Sequence, residues 1–410
     1  MKSRAVSVVL VGVLVGCGVL STVREDLAAM QSLAQLRGSV RVEEWSGAPI
    51  VVAVLRSPER EGAPFQIVDF EQLFSPERFA LILEPGTYRV VAFVDENRDL
   101  EYQESEPLAP WSDFRELTLS AGVRDGLDIT ISGPPPSADE RMPEITDPTA
   151  STRDTDIGSV MPLASERFGA EAGRMGALEP TRFMREIGAG IFFLEPHDPA
   201  RTPVLFVHGI SGYPQEFESL VAALDHERFE AWVAQYPSGW DLDEVAARLN
   251  RAINELQTTH QLERLCIVAH SMGGVVVRRA MTHHVHERPR PFITGLVTIA
   301  SPLGGHPGAG AGVAMSPVVL PSWRSLAPTG ELITGLYTTP LPEETRYALF
   351  FAFDGVSGDG VVPLHSQLRS EAAEEADVVR GFPGTHTGVL RDQRTGVAMR
   401  EELDRCREPH

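Results

Sequence analysis

The sequence of 410 residues predicts two domains of different classes, a small all-β sandwich followed by a larger α/β domain. Short strand-like runs separated by Pro and Gly fill residues 38–133, which is typical of a sandwich. Strand-like and helix-like runs alternate over residues 161–410, which predicts a mostly parallel sheet with helices on both faces. Residues 134–160 are rich in Pro, Ser, Thr and charge, and they read as a linker.

The N-terminus has the pattern of an export signal. Lys2 and Arg4 precede an apolar run from Ala5 to Gly16, which is too short for a stable membrane span and has the length of a signal-peptide core. The run ends in Leu-Val-Gly-Cys17, which resembles the bacterial lipobox, where the cysteine is acylated and begins the mature chain.

The lipobox resemblance implies a lipid-anchored envelope protein with a signal peptide at 1–17 and a tether at 18–37. Gly18 stands where an aspartate would indicate retention in the inner membrane, so the outer membrane is favoured. An ordinary secretory signal or an uncleaved anchor is the alternative. The membrane is therefore one expected partner, through the acylated Cys17.

The formal net charge of −21 argues against a nucleic-acid partner, because phosphate binding needs a basic face. The three cysteines do not suggest a disulfide framework. Cys266 lies inside an apolar strand-like run and Cys406 near the C-terminus. No bridge between them is expected, because Cys266 is interior.

The β domain is predicted from five runs separated by turn signals. The predicted strands are Ser39–Val42, Ile50–Leu55, Arg78–Leu83, Thr87–Val94 and Arg115–Leu119. The run from Arg78 to Asp95 resembles the prealbumin-like sandwich domains of many exported bacterial proteins. The domain shows no catalytic constellation, so a spacing or docking role is expected.

An acidic loop directly follows the fourth of these strands, Thr87–Val94. Asp95, Asn97, Asp99 and Glu101 alternate as oxygen donors, which is the arrangement that Ca²⁺ requires. The spacing resembles the EF-hand loop, although Leu100 replaces its invariant glycine. A structural Ca²⁺ ion and a solvated acidic hairpin are equally good interpretations.

The α/β domain is predicted from runs that alternate in character. Predicted strands are Ile191–Phe193, Pro203–His208, Glu230–Tyr236, Leu265–Ala269, Phe292–Ala300, Tyr347–Phe353 and Asp377–Phe382. Predicted helices are Gln215–Leu224, Asp241–Gln257, the run from Gly273 to Met281, and Gln393–Cys406.

A serine stands between a buried strand and a helix. Ser271 follows the strand Leu265–Ala269, and Gly273 opens the helix. This is the nucleophile-elbow arrangement, in which small residues two before and two after the serine leave room for crossing backbones. Ala269 replaces the first glycine of G-x-S-x-G at little steric cost. An ordinary turn with an N-capping serine is the alternative.

Several motifs in this order resemble the α/β-hydrolase superfamily, closest to bacterial lipases and esterases and to the GPI inositol-deacylase-like branch. The motifs are Val207-His-Gly-Ile210, Tyr236-Pro-Ser-Gly239, Ala269-His-Ser-Met-Gly-Gly274, Ser301-Pro302, Gly358-Asp-Gly-Val-Val-Pro363 and Thr385-His386. The resemblance implies an α/β-hydrolase fold.

A serine nucleophile needs a base and an acid that orients it, and in this superfamily the order is Ser, Asp or Glu, then His. The resemblance assigns Asp359 as the acid, with Asp354 as its rival at the strand end. It assigns His386 as the base in preference to His365, which is too close to Asp359 along the chain. The oxyanion donors implied by position are the N–H groups of Ile210 and Met272.

Residues 301–323 contain no Asp, Glu, Lys or Arg and lie between two predicted strands. A mobile apolar lid and a buried connecting loop fit this segment about equally well.

The resemblance implies a serine esterase or lipase that acts on ester or lipid substrates through an acyl-enzyme, without a required cofactor. Acyl transfer or amide hydrolysis by the same triad is one alternative. A non-catalytic binding or scaffold protein of the envelope is another.

Overall fold

The computed structural model describes residues 17–57, 60, 65–133, 145–146, 157–287 and 292–407. The predicted signal core and most of the predicted linker lie outside the described residues. Among the described residues, no helix combines the length and the apolar character needed to cross a membrane.

The N-terminal part consists of a helix followed by β structure. The elements are α1 (Cys17–Gln31), β1 (Ala34–Val42), β2 (Ile50–Arg56), β3 (Phe65–Leu73), β4 (Arg78–Leu83), β5 (Gly86–Val94), β6 (Leu108–Pro110), β7 (Leu117–Leu119), β8 (Gly122–Ile131) and β9 (Ile145–Thr146).

The β elements form two sheets that pack on each other. One has the order β4-β1-β8, and the other has the order β6-β5-β2-β3-β9 with β7 on β5. Alternate residues of β2, such as Ile50 and Val52, meet Leu36 of β1 and Leu81 of β4 in one core. This arrangement confirms the predicted all-β sandwich.

Two long strands were absent from the sequence prediction. β3 carries Asp69 and Glu71, which interrupt its apolar run, although both are buried. β8 begins with an exposed, charged half, so only Leu127, Ile129 and Ile131 show strand-like alternation. A periodicity argument fails at such strands because their polar residues have partners that only the folded chain supplies.

The C-terminal part alternates helices and strands. The elements are α2 (Ala170–Leu178), α3 (Pro180–Glu186), β10 (Gly190–Phe193), β11 (Thr202–Val207), α4 (Glu218–Val221), β12 (Phe229–Gln235), α5 (Leu242–His260), β13 (Leu265–His270), α6 (Met272–Glu287), β14 (Ile293–Ile299), α7 (Pro307–Met315), α8 (Pro321–Leu326), α9 (Glu331–Gly335), β15 (Arg346–Phe353), α10 (Leu364–Gln367), α11 (Ser370–Glu375), β16 (Val378–Pro383) and α12 (Gln393–Cys406).

The strands of this part form one sheet in the order β10-β12-β11-β13-β14-β15-β16. Among the described strand pairs of this seven-stranded sheet, only β10–β12 is antiparallel, and the other pairs are parallel. One face of the sheet packs against α5 and α6. The other face packs against α4 and α12. The predicted mostly parallel sheet with helices on both faces is therefore confirmed.

Cys266 and Cys406 form a disulfide, which corrects the expectation that they do not pair. Their Cα atoms are 6.5 Å apart. Helix α12 ends at Cys406 on the face of the sheet that Cys266 also occupies. Gly295 is the β14 partner of Cys266, and a Cβ at Gly295 would lie 2.7 Å from Cys406 Sγ. The interior position of Cys266 is no obstacle, because the helix carries the second cysteine into the interior.

Residues 18–37, predicted as a tether, form most of α1 and the start of β1. Val23 of α1 packs with Val318 and Leu320. Asp26 is buried and accepts hydrogen bonds from the N–H groups of Thr181 and Arg182, each at 2.9 Å. Asp26 thus caps the first turn of α3, where the helix has unpaired N–H groups. The segment is docked on the α/β domain because it carries apolar and capping side chains.

Candidate active site

Ser271 occupies the sharp turn between β13 and α6. Its φ of +55° lies in the left-handed region, which a non-glycine residue adopts at a cost. The Ser271 N–H donates to the Ile299 carbonyl at 2.9 Å, which holds the turn against β14. A Cβ at Gly273 would lie 2.4 Å from the His208 carbonyl oxygen. A glycine two residues after the serine is therefore required, as the sequence pattern indicated.

The structure brings the three residues of the predicted triad together. His386 Nε2 lies 2.9 Å from Ser271 Oγ, and His386 Nδ1 lies 2.7 Å from Asp359 Oδ2. Because Asp359 Oδ2 accepts a hydrogen bond from the Nδ1–H group of His386, the neutral imidazole presents its lone pair at Nε2, where it can accept the Ser271 proton. The geometry is that of a nucleophile, a base and an orienting acid.

Asp359 is held in place by its own turn. It is 1% exposed, and its Oδ1 accepts the N–H groups of Val361 at 2.9 Å and Val362 at 2.7 Å. The His386 N–H donates to the Asp359 carbonyl at 3.0 Å. The rivals Asp354 and His365 are both exposed, and neither takes part in the two hydrogen bonds that join Ser271, His386 and Asp359.

The loop after β11 crosses directly over the serine. A Cβ at Gly209 would lie 2.7 Å from Ser271 Cβ and 3.1 Å from Ser271 Oγ. Ile210 is the next residue of this loop. Met272 begins α6, so its N–H has no acceptor within the helix. The two predicted oxyanion donors therefore belong to the two backbone segments that border Ser271.

The loop after β11 rests on residues of the Tyr236-Pro-Ser-Gly239 motif. The Tyr236 hydroxyl donates to the His208 carbonyl, and the two rings stack with centroids 4.2 Å apart. Ser238 Oγ accepts the Ser211 N–H at 3.1 Å. Burial lowers the pKa of His208 to about 4, so its ring is neutral at physiological pH. The motif, which had no assigned role, supports the loop that carries Ile210.

His270 was given no role from the sequence, and the structure places it beneath the base. Its Nε2 lies 3.0 Å from the His386 carbonyl oxygen, and the two rings are 4.7 Å apart. Burial holds the pKa of His270 well below its usual value, so the ring is neutral and donates from Nε2. The signal that could have identified it is its position immediately before the nucleophile.

Glu216 is a further carboxyl group near the base. Burial raises its pKa, while the hydrogen bond from the Tyr213 N–H and the nearby His386 and Arg391 side chains act in the opposite direction. Its Oε2 accepts the Tyr213 N–H at 3.4 Å. This residue was also missed, because nothing in the sequence distinguishes it from other acidic residues at a helix start.

The uncharged segment 301–323 forms α7 and the start of α8. Leu303 and Ala309 belong to the main core, whereas Met315 is 73% exposed. His306 Nε2 lies 2.9 Å from the Val361 carbonyl oxygen, which ties the segment to the Asp359 turn. The segment therefore packs into the core at Leu303 and Ala309 and is exposed at Met315, and its mobility stays a prediction.

In the predicted Ca²⁺ loop, side-chain oxygens accept hydrogen bonds from backbone N–H groups of the same loop. Asp95 accepts the N–H groups of Asp99 and Leu100, and Asp99 Oδ1 accepts the Glu101 N–H at 2.8 Å. Asn97 Oδ1 accepts the Asp99 N–H. Within the described parts of the chain, no three His, Cys, Asp or Glu side chains converge as a metal-ligand group. The Ca²⁺ site at these four residues stays a prediction.

Comparison with known proteins gives a family match. A model of the alpha/beta hydrolase family matches residues 204–400. Similar solved structures include the mature lipase BlEst2 from Bacillus licheniformis, at 18% identity and a TM-score of 0.43, covering 52% of this chain and 97% of that one. A monoacylglycerol lipase from Paleococcus ferrophilus matches at 16% identity and a TM-score of 0.38, covering 51% and 96%.

A soluble variant of the Saccharomyces cerevisiae monoglyceride lipase matches at 14% identity and a TM-score of 0.39, covering 54% of this chain and 93% of that one. A search of curated protein sequences finds no match. The family match runs from β11 into α12, and it includes Ser271, Asp359 and His386. Residues 204–400 of this chain therefore form an alpha/beta hydrolase domain by their match to the family model.

Proposed function

We propose that this protein is a serine hydrolase that cleaves carboxylic esters through an acyl-enzyme. The observation that carries the proposal is the pair of hydrogen bonds at His386, whose Nε2 accepts from Ser271 Oγ at 2.9 Å and whose Nδ1 donates to Asp359 Oδ2 at 2.7 Å. A serine hydroxyl is a weak nucleophile, and this arrangement is the one that activates it.

In the first half of the reaction, Ser271 Oγ attacks the ester carbonyl carbon while His386 Nε2 takes its proton. The oxyanion of the tetrahedral intermediate accepts hydrogen bonds from the N–H groups of Ile210 and Met272. The intermediate collapses, the alcohol leaves with the proton from His386, and the acyl group remains on Ser271. Asp359 stays ionised and stabilises the imidazolium.

In the second half, His386 takes a proton from a water molecule, which attacks the acyl carbonyl. The second tetrahedral intermediate collapses, the carboxylic acid leaves, and the proton returns to Ser271. The uncharged segment 301–323 beside the Asp359 turn supports an apolar acyl group in the substrate. The same triad would transfer the acyl group to another acceptor or cleave an amide, and the leaving group decides between these reactions.

The test is hydrolysis of p-nitrophenyl esters from acetate to palmitate by the chain from Gly18 onward. Ser271→Ala should lower kcat at least a thousandfold, since removal of a triad member leaves only the oxyanion contribution. Ser322→Ala is the matched control, because Ser322 is also fully buried. Its kcat should stay within about twofold of the wild type.

Covalent labelling separates a catalytic serine from a scaffold role. A fluorophosphonate should add one label to the wild type and to Ser322→Ala, and none to Ser271→Ala. No labelling and no esterase activity in the wild type would overturn the proposal. Activity that persists in Ser271→Ala would equally overturn it.

We also propose that the protein is exported and anchored through Cys17 in the bacterial envelope, on the outer membrane. The lipobox resemblance supports the anchor. The Cys266–Cys406 disulfide supports export, because disulfides persist mainly in oxidising compartments.

A further inference from the structure

A cleft separates β3 of the sandwich from α5 of the α/β domain. It encloses a cavity of about 240 Å³. On the α/β side its wall includes Leu249 and Leu256, which are buried, and on the sandwich side it includes Phe70 and Leu100. Arg251 Nη1 and Glu71 Oε1, 2.9 Å apart, join the two sides. The cleft is therefore an apolar space between two connected domains, which is a common place for small-molecule sites.

A buried amide lines this space. Gln72 is 7% exposed, and neither its Nε2 nor its Oε1 has a hydrogen-bond partner among the described residues. A buried amide without a partner lowers stability, because the loss of its hydration is not compensated by hydrogen bonds within the protein. A ligand with both a donor and an acceptor would recover this free energy. Gln235, which also lines the cleft, has an Oε1 without a partner in the same described set.

The ionisable groups around the cleft indicate the charge of the ligand. Five carboxylate residues line it, against two arginines: Asp69, Glu71, Asp99, Glu101, Glu255, Arg248 and Arg251. Burial and the neighbouring His197 lower the pKa of His260, which keeps that lining ring neutral at physiological pH. An anionic head group such as a fatty-acid carboxylate would face this surplus of negative charge.

We propose that the cleft binds an uncharged amphiphile, a single alkyl or acyl chain with a hydroxyl or ester head. The chain lies against the apolar wall and the head pairs with the Gln72 amide. The volume of about 240 Å³ is below that of pockets for drug-sized ligands, so one chain fits and a two-chain phospholipid does not. The site is separate from Ser271, and the proposal does not depend on the catalytic one.

The test is isothermal titration calorimetry of the chain from Gly18 onward with 1-octanol and, separately, with sodium octanoate. Octanol should bind at one site per chain, and octanoate at least tenfold more weakly. Absence of octanol binding would overturn the proposal. Equal affinity for octanoate would overturn the assignment of an uncharged head.

Two variants locate the ligand. Ala252 lies on α5 in the wall of the cleft, so Ala252→Phe should fill the space and abolish octanol binding. Ala247→Phe, on the same helix but outside the wall, is the control and should bind octanol like the wild type. Octanol affinity that survives in Ala252→Phe would place the alcohol elsewhere, for example beside Ser271, and would overturn the proposal.

The amide is tested by Gln72→Leu. Octanol affinity should fall at least fivefold, while the thermal midpoint of the free protein should not fall, because the variant loses an unpaired buried amide. Unchanged octanol affinity in Gln72→Leu would overturn the role of the amide. Thermal unfolding of every variant without ligand separates lost binding from lost folding.

Discussion

At the scale of single residues, the candidate site depends on how closely two backbone segments pass each other. Gly209 lies against Ser271 so tightly that any added Cβ would come within 2.7 Å of the Ser271 Cβ. The left-handed backbone turn at Ser271 produces this close approach, because it lifts the serine hydroxyl into the space beside the loop. Hydrogen bonds from the Tyr236 side chain and to Ser238 then hold the loop from the other side.

Gly209→Ala should reduce catalysis far more than it reduces stability. The new methyl group must displace the loop or the serine, and a displacement of about 1 Å in an active site costs roughly a hundredfold in rate. The measurement is kcat on a p-nitrophenyl ester together with the thermal midpoint. Gly335→Ala is the control, because a Cβ there meets nothing within 4 Å. Wild-type kcat in Gly209→Ala would contradict the contact.

His208 should make stability depend on pH. Its pKa is about 4 in the folded protein and about 6.5 in the unfolded chain, so between these values the unfolded chain binds more protons. The free energy of unfolding should therefore fall as the pH is lowered from 6.5 to 4, by about 3 kcal/mol from this residue alone. Urea unfolding across this range measures the effect. His208→Gln should flatten the curve, and an unchanged slope would refute the prediction.

At the scale of elements, α12 is fixed to the centre of the sheet by the Cys266–Cys406 disulfide. The bridge connects residues 140 apart in sequence, and β13, which carries Cys266, leads directly to the Ser271 turn. Helix α12 packs on β14, and Gly295 of β14 has no side chain that would collide with Cys406, so there is space for the disulfide.

The double variant Cys266→Ala/Cys406→Ala should lose about 2–5 kcal/mol of stability, because the crosslink that restricts the unfolded chain is gone. Urea unfolding with and without dithiothreitol measures this loss. The wild type should respond to the reductant and the double variant should not. Two free thiols at these positions in the exported protein, found by alkylation and mass spectrometry, would contradict the prediction.

Helix α1 is joined to α3 by the carboxylate of Asp26. Asp26→Ala leaves two N–H groups at the start of α3 without their acceptor, so it should cost about 1 kcal/mol. Glu25→Ala is the control, since Glu25 is exposed on the same helix. The measurement is the urea midpoint of each variant. Equal midpoints would show that α1 contributes no capping interaction.

At the scale of the whole molecule, the docking of α1 restricts where an anchored enzyme would sit. Val23, which packs with Val318 and Leu320, is six residues after Cys17 in one helix. At a rise of about 1.5 Å per residue this spans about 9 Å. The proposed anchor at Cys17 would therefore lie close to the part of the α/β domain that contains Val318 and Leu320.

Cys17→Ser should release the protein from the membrane fraction without changing its specific esterase activity, because Cys17 is outside the candidate active site. Fractionation of cells, with labelling by radioactive palmitate, measures anchoring. The wild type should be labelled and sediment with membranes, and the variant should do neither. A variant that still sediments would point to an uncleaved anchor instead.

The local hydrophobic pattern was sufficient to predict most strands and helices of the α/β domain. The strand before Ser271 and the final helix are continuous, strongly patterned runs, and the structure gives β13 as Leu265–His270 and α12 as Gln393–Cys406. The order of the motifs was sufficient to nominate Asp359 and His386, since chain order is a property of sequence. Periodicity was insufficient for β3 and β8, whose polar residues disguise the strand pattern.

The two fold classes and the residues nominated for the triad could be predicted from the amino-acid sequence, because hydrophobic period and motif order are properties of the sequence. The contacts between distant segments became visible only in the folded chain. These are the disulfide from β13 to α12, the docking of α1 through Asp26, and the place of His270 beneath His386. Such contacts join residues about a hundred or more positions apart, and their geometry exists only once the sheet has set its strand order.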